Sequence, residues 1–108
     1  MASKSFASEA QSLSHLSDLF GLLSDQTRLQ ILMLLAVGEH NVTSLCEELK
    51  LRQPTVSHHL GLLRMNRVII NKRRGKQIFY SLDPAAGRIS GGKIKFQCPP
   101  YSVMVEGC

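Results

Sequence analysis

The sequence predicts a mainly α-helical fold with a small β-hairpin, followed by an atypical strand-like tail. Three observations predict it: apolar residues recur at helical spacing from Leu13 to Leu63, an alternating run surrounds Gly75, and glycine and proline crowd the tail. A chain of 108 residues supports one domain. Burial at this length is adequate rather than generous, so self-association would add stability.

Residues 1–7 carry no pattern and are expected to be disordered. From Ser8 to Leu23, the residues Leu13, Leu16, Phe20 and Leu23 follow helical spacing and Leu19 widens their stripe, which predicts an amphipathic first helix. Asp25 is placed to cap a second helix. Its body, Leu29 to Ala36, is apolar nearly all round and is expected to be the most buried element; Gly38 ends it. A short third helix from Val42 to Leu49 puts Val42, Leu45, Cys46 and Leu49 on one face.

Leu51 and Arg52 then turn the chain into a fourth helix. Pro54 suits its first turn, where the missing N–H would be unpaired anyway, and Val56, Leu60 and Leu63 make one buried stripe. Asn66 is expected to end it in the left-handed conformation. Two strand-like runs follow, Val68 to Lys72 and Gln77 to Leu82, joined by Arg73-Arg74-Gly75-Lys76. Residues 8–83 thus read as a winged helix-turn-helix. The tail, residues 84–108, holds four of the eight glycines and three of the four prolines, which argues against a long helix. Within it, Lys93 to Gln97 and Tyr101 to Glu106 alternate around Cys98-Pro99-Pro100, predicting a second hairpin.

Charge says what the fourth helix and hairpin meet. No acidic residue lies between Leu49 and Asp83, whereas eight of the chain's thirteen Lys and Arg do, although the net charge is only +5. A solvated face normally mixes signs, so a single-sign block favours a polyanion. A membrane is the weaker reading, because these cations are split between a helix and a hairpin instead of lining one amphipathic helix. Thr55 and His58 lie opposite the buried stripe with Gln53 and Ser57 on its flanks, at the helix end that meets base edges in helix-turn-helix proteins. Those four are the candidate base readers on double-stranded DNA. Arg64 is a further candidate DNA contact, and Arg73, Arg74 and Lys76 are candidates for phosphate or minor-groove contact. His59 leans inward and either supports the turn or touches phosphate. An interaction or RNA-binding module without operator specificity stays open as the alternative, although it would expose apolar anchors here.

Other classes find little support. The longest apolar run, Ile31 to Val37, is too short to span a bilayer, and no cationic segment leads into an apolar one at the N-terminus, so a soluble cytoplasmic protein is expected. Three cysteines are no disulfide framework. Cys46 shares the apolar face of the third helix and is assigned to packing, leaving Cys98 and Cys108 as the redox candidates. A tail hairpin puts those two on the order of 20 Å apart, too far for a bond within one subunit. His15 and His40 are isolated and expected to be solvated, while His58 and His59 diverge by about 100° and make a poor chelating pair. No Ser, His and Asp set and no glycine-rich phosphate loop emerges, so neither an enzyme nor a cofactor is expected.

Three segments, LSDQTRLQILMLL, LCEELKLRQPTVSHHLGLLR and VIINKRRGKQIFYSL, together resemble the arsenic-repressor type (ArsR/SmtB) family of winged-helix regulators, from about Leu16 to Leu82. The resemblance implies a homodimeric repressor that holds a palindromic operator and releases it to an effector, here unknown. Metal-sensing members carry a Cys-x-Cys pair entering the third helix, where this chain has Asn41 and Thr43, or Asp and His on a helix after the wing, where it has Asp83-Pro84-Ala85-Ala86-Gly87 and a tail without histidine. Neither metal site is expected. His58 stands where relatives often have Arg, which bears on base readout. The family dimerises through its first helix and a terminal helix, for which Gly87, Gly91, Gly92, Pro99 and Pro100 leave no room. The first helix is therefore expected to carry the dimer, with tail strands covering it or pairing across the two-fold axis.

Overall fold

The computed structural model describes residues 6–107. The expected disorder of residues 1–5 and the position of Cys108 lie outside the described residues. Four helices, α1 (Phe6–Leu23), α2 (Gln26–Val37), α3 (Val42–Leu49) and α4 (Gln53–Met65), carry two antiparallel sheets. The first sheet has the order β1-β3-β2, from β1 (His40–Asn41), β2 (Ile69–Arg74) and β3 (Gln77–Leu82). The second, β4-β5-β6, is the tail: β4 (Gly87–Ser90), β5 (Lys93–Cys98) and β6 (Tyr101–Glu106). The fold is a winged helix-turn-helix with a strand-built tail, as the residue patterns predict.

Local chemistry sets the helix ends. The Asp25 carboxylate accepts from the Arg28 N–H at 3.0 Å, capping α2 as expected. Asn41 caps α3 in the same way, accepting from the Ser44 N–H at 2.8 Å. Gly38 does end α2, but in an extended conformation, with its N–H donating to Leu34 O at 3.3 Å. Asn66 is not left-handed: its side-chain amide donates back to Leu62 O at 2.8 Å, and Arg67 takes the positive φ of 59° one residue later. The wing turn is Gly75-Lys76 alone, since Arg74 pairs with Gln77 and β2 runs two residues further than Lys72. Gly75, at φ 64°, supplies the positive φ that tight hairpin turns need.

The buried side chains form one core, with Ile31, Leu32 and Leu35 of α2, Leu45 of α3, and Val56, Leu60 and Leu63 of α4 meeting Val68, Ile69 and Leu82 at the wing's base. At about 1.5–3 kcal/mol per fully buried aliphatic side chain, this face-to-face burial dominates the fold. Helix α2 exposes only the stripe Gln26, Gln30, Met33 and Val37, and so leaves fewer residues in solvent than α4, which has as many fully buried ones. The stripe of α1 needs correction: Leu19 and Leu23 pack on the core, beside Leu22, while Leu13 and Phe20 stay 50% and 52% exposed. Helix α1 begins at Phe6, two residues before Ser8.

The tail joins the same core. Ile94 and Phe96 of β5 are each 1% exposed and belong to the cluster built by the helices. The expected hairpin is present, with Cys98 paired to Tyr101 across Pro99-Pro100. β4 was not anticipated; it pairs with β5 through a turn at Gly91-Gly92, both at positive φ. Asp83 launches the tail: its N–H donates to Val68 O, its carboxylate accepts from the Ala85 N–H, and its carbonyl accepts from Ala86 and Gly87. β1 was also missed. Its two residues pair with Tyr80 and Phe79, so His40 is half-buried and its Nδ1 lies 2.9 Å from Ser44 Oγ, not solvated as expected.

Candidate nucleic-acid interface

Helix α4 presents Gln53, Thr55, Ser57 and His58 to solvent, while Val56, Leu60 and Leu63 bury the opposite stripe. Its N-terminus is open. Arg52 makes no side-chain cap, and the first turn holds no acidic residue, so the positive end of the helix dipole is uncompensated. Arg64 is also exposed, eleven residues beyond Gln53 and on nearly the same side of the helix, which places it about 16 Å along the axis. Gly61 lies exposed between these ends, and a Cβ there would meet nothing within 4 Å. Glycine inside a helix costs roughly 0.5–1 kcal/mol relative to alanine. Among the described residues nothing packs against Gly61, so the helix surface here is open.

His59 occupies the helix's other flank. It is half-buried, its Nδ1 lies 3.4 Å from Arg28 Nη1, and its ring meets that of His58 edge-on at 5.6 Å. Arg28 in turn donates from Nε to Leu22 O at 2.8 Å and from Nη2 to Gly21 O at 3.3 Å. One guanidinium thus closes the carbonyl end of α1 and reaches His59 of α4. Arg28 was missed as a functional candidate because its partners are backbone carbonyls, which no side-chain pattern encodes. The Arg28 N–H bond to Asp25 also holds the Asp25 carboxyl below the ordinary aspartate range.

The wing cations are not equivalent. Arg74 lies over the Phe79 ring, 5.5 Å from its centroid, and forms an ion pair with Glu39. Arg73 folds back to donate from Nε to Gly75 O at 3.1 Å. Lys76, exposed at the turn, has no protein partner among the described residues. At the entry to α3, the Asn41 amide is engaged as a cap and Thr43 is an exposed hydroxyl, so these two positions do not suit a thiophilic ion. Cys46 packs against the core as expected. No described helix is long and apolar enough to cross a membrane.

Comparison with known proteins bears on this surface. A family described as bacterial regulatory protein, arsR family, matches residues 25–70, the stretch from the α2 cap into β2. The chain is 43% identical over 67 residues to the arsenical resistance operon repressor of Escherichia coli, covering 61% of this chain and 57% of that protein. It is 37% identical over 68 residues to the transcriptional repressor SdpR of Bacillus subtilis, covering 63% of this chain and 76% of that one. The chain therefore spans little more than half of the first of these relatives. Among solved structures, the homodimeric winged helix-turn-helix DNA-binding domain of a Mycobacterium bovis protein superposes with a TM-score of 0.66 at 29% identity, covering 77% of this chain and 76% of that one.

Proposed function

Because the chain belongs to the arsR family of bacterial regulatory proteins, we propose that it is a cytoplasmic, homodimeric transcriptional repressor that binds an inverted-repeat operator through α4 and the wing. One observation carries this reading: the polar, acid-free outer face of α4 stands on a buried stripe beside a cationic hairpin. Gln53, Thr55, Ser57 and His58 read base edges; Arg64, Arg73 and Lys76 hold phosphates, with Arg74 joining them when it leaves Glu39. His59 acts behind the surface by supporting Arg28. The half-exposed Leu13 and Phe20, seven residues apart on one side of α1, supply the apolar face on which two subunits meet.

The repressor is not of the metal-thiolate type, since amide and hydroxyl replace thiolates at Asn41 and Thr43. It has no catalytic role. Selection from genomic fragments tests the proposal: an inverted repeat with half-sites about one DNA turn apart should be enriched. On that site, Gln53→Ala or His58→Ala should each cost about 1–3 kcal/mol at particular base pairs, and zinc, nickel or arsenite should leave affinity unchanged. Equal affinity for every sequence would instead identify an interaction or RNA-binding module.

A further inference from the structure

Helix α1 and the tail sheet face each other across a half-open space, with His15 and Asp18 exposed at its mouth. A cavity of about 210 Å³ lies there, walled by Leu19, Leu22, Val68 and the buried ring of Phe96. Its polar lining comprises His15 and Asp18, three residues apart on one side of α1, with Asn66, Gln97 and Cys98. No lysine or arginine lines it, although the chain carries a net +5. Asp18 is the cavity's one carboxylate, and it has no ion-pair or hydrogen-bond partner among the described residues.

We infer that this cavity binds a small organic cation, its apolar body against Leu19, Val68 and Phe96 and its ammonium or amidinium group at Asp18. The lining mixes apolar side chains with polar groups that can orient a ligand, and the volume falls below the roughly 300–1,000 Å³ of drug-sized pockets, so the ligand is small. An anion would meet Asp18 with no lysine or arginine in the lining to offset it. The position also gives the ligand leverage. Asn66, which caps the end of α4 through Leu62 O, lines the cavity, and Val68 begins the base of the wing. An occupant therefore touches α1, the tail sheet and the segment that joins α4 to the wing, and it shifts DNA affinity to the extent that it favours one spacing of these elements. The binding claim stands on the cavity alone; its effect on DNA rests on the function proposed above.

The test uses the whole chain with 2-phenylethylammonium, and with uncharged 2-phenylethanol and anionic phenylacetate as controls. Calorimetry should rank the cation about fivefold above the alcohol, with phenylacetate weakest, and Asp18→Asn should erase the cation's advantage. In the same samples, the cation should slow alkylation of Cys98, followed by peptide mass spectrometry, and leave Cys46 unaffected. Equal affinity for the three compounds, an Asp18→Asn chain that binds like wild type, or an unprotected Cys98 overturns the site. Saturating cation should then change affinity for a DNA duplex by about fivefold or more in wild type but not in Asp18→Asn. Unchanged duplex affinity overturns the regulatory half. Failure to bind any duplex while Cys98 is still protected overturns the DNA-binding reading and leaves the site standing.

Discussion

Glu39 is the acid that holds down a wing cation, so Glu39→Gln should tighten DNA binding. The substitution keeps the side chain's length and removes one negative charge from beside Arg74, whose guanidinium also lies on Phe79. Both partners are partly exposed, with side-chain values of 52% for Arg74 and 36% for Glu39, so the pair belongs with surface salt bridges worth about 0–1 kcal/mol. Releasing it therefore yields at most about a fivefold gain in affinity. A freed Arg74 that neutralises one further phosphate should also steepen the plot of log affinity against log salt by up to about 0.9. Both effects act on the backbone, so a random-sequence duplex serves as well as an operator. The assay is fluorescence anisotropy on that duplex at several salt concentrations, run as a cycle with Arg74→Gln. The gain should vanish in the Arg74→Gln background, because screening over about 10 Å at 0.1 M salt weakens Glu39's direct effect on the other cations. Unchanged or weaker binding by Glu39→Gln, or a full gain without Arg74, would refute the reasoning.

Three further outcomes follow from the same geometry. Arg28→Met should cost about 1.5–3 kcal/mol in urea denaturation, and Arg28→Lys should recover little, because one ammonium cannot serve two carbonyls and His59 in the guanidinium's fixed fork. Gly61→Ala should raise stability by roughly 0.5–1 kcal/mol yet weaken DNA binding; a variant that gains stability and keeps full affinity would show that no surface approaches there. Asp25 is held below its ordinary pKa by the Arg28 N–H, so its contribution is present above the unfolded-state value and lost as pH falls through the lower folded-state value. Asp25→Asn, an equally good cap that does not titrate, should lose less stability across that acid range than wild type, as thermal unfolding at successive pH values would show.

Much of the fold and of the candidate interface was legible because it rests on periodicity and local chemistry. The 3.6-residue recurrence of Val56, Leu60 and Leu63 determined which side of α4 is buried, and hence that Gln53, Thr55, Ser57 and His58 face outward. Asp25 announced its helix, and alternation around Pro99-Pro100 announced the tail hairpin. The tertiary structure alone decided the rest. A two-residue strand such as β1 has no period to read and exists only because β3 offers it a partner. The stripe of α1 is continuous in sequence, yet Leu19 and Leu23 found the core while Leu13 and Phe20 did not, since burial depends on which neighbours arrive. Arg74 and Lys76 are both cations in the sequence, but Glu39 and Phe79, folded back across the sheet, engage only Arg74. The cavity beside Asp18 likewise forms where α1 meets strands seventy or more residues away in the chain. Sequence determines what a residue can do through its chemistry and its period; contacts between distant segments determine which of those capacities are already spent within the fold.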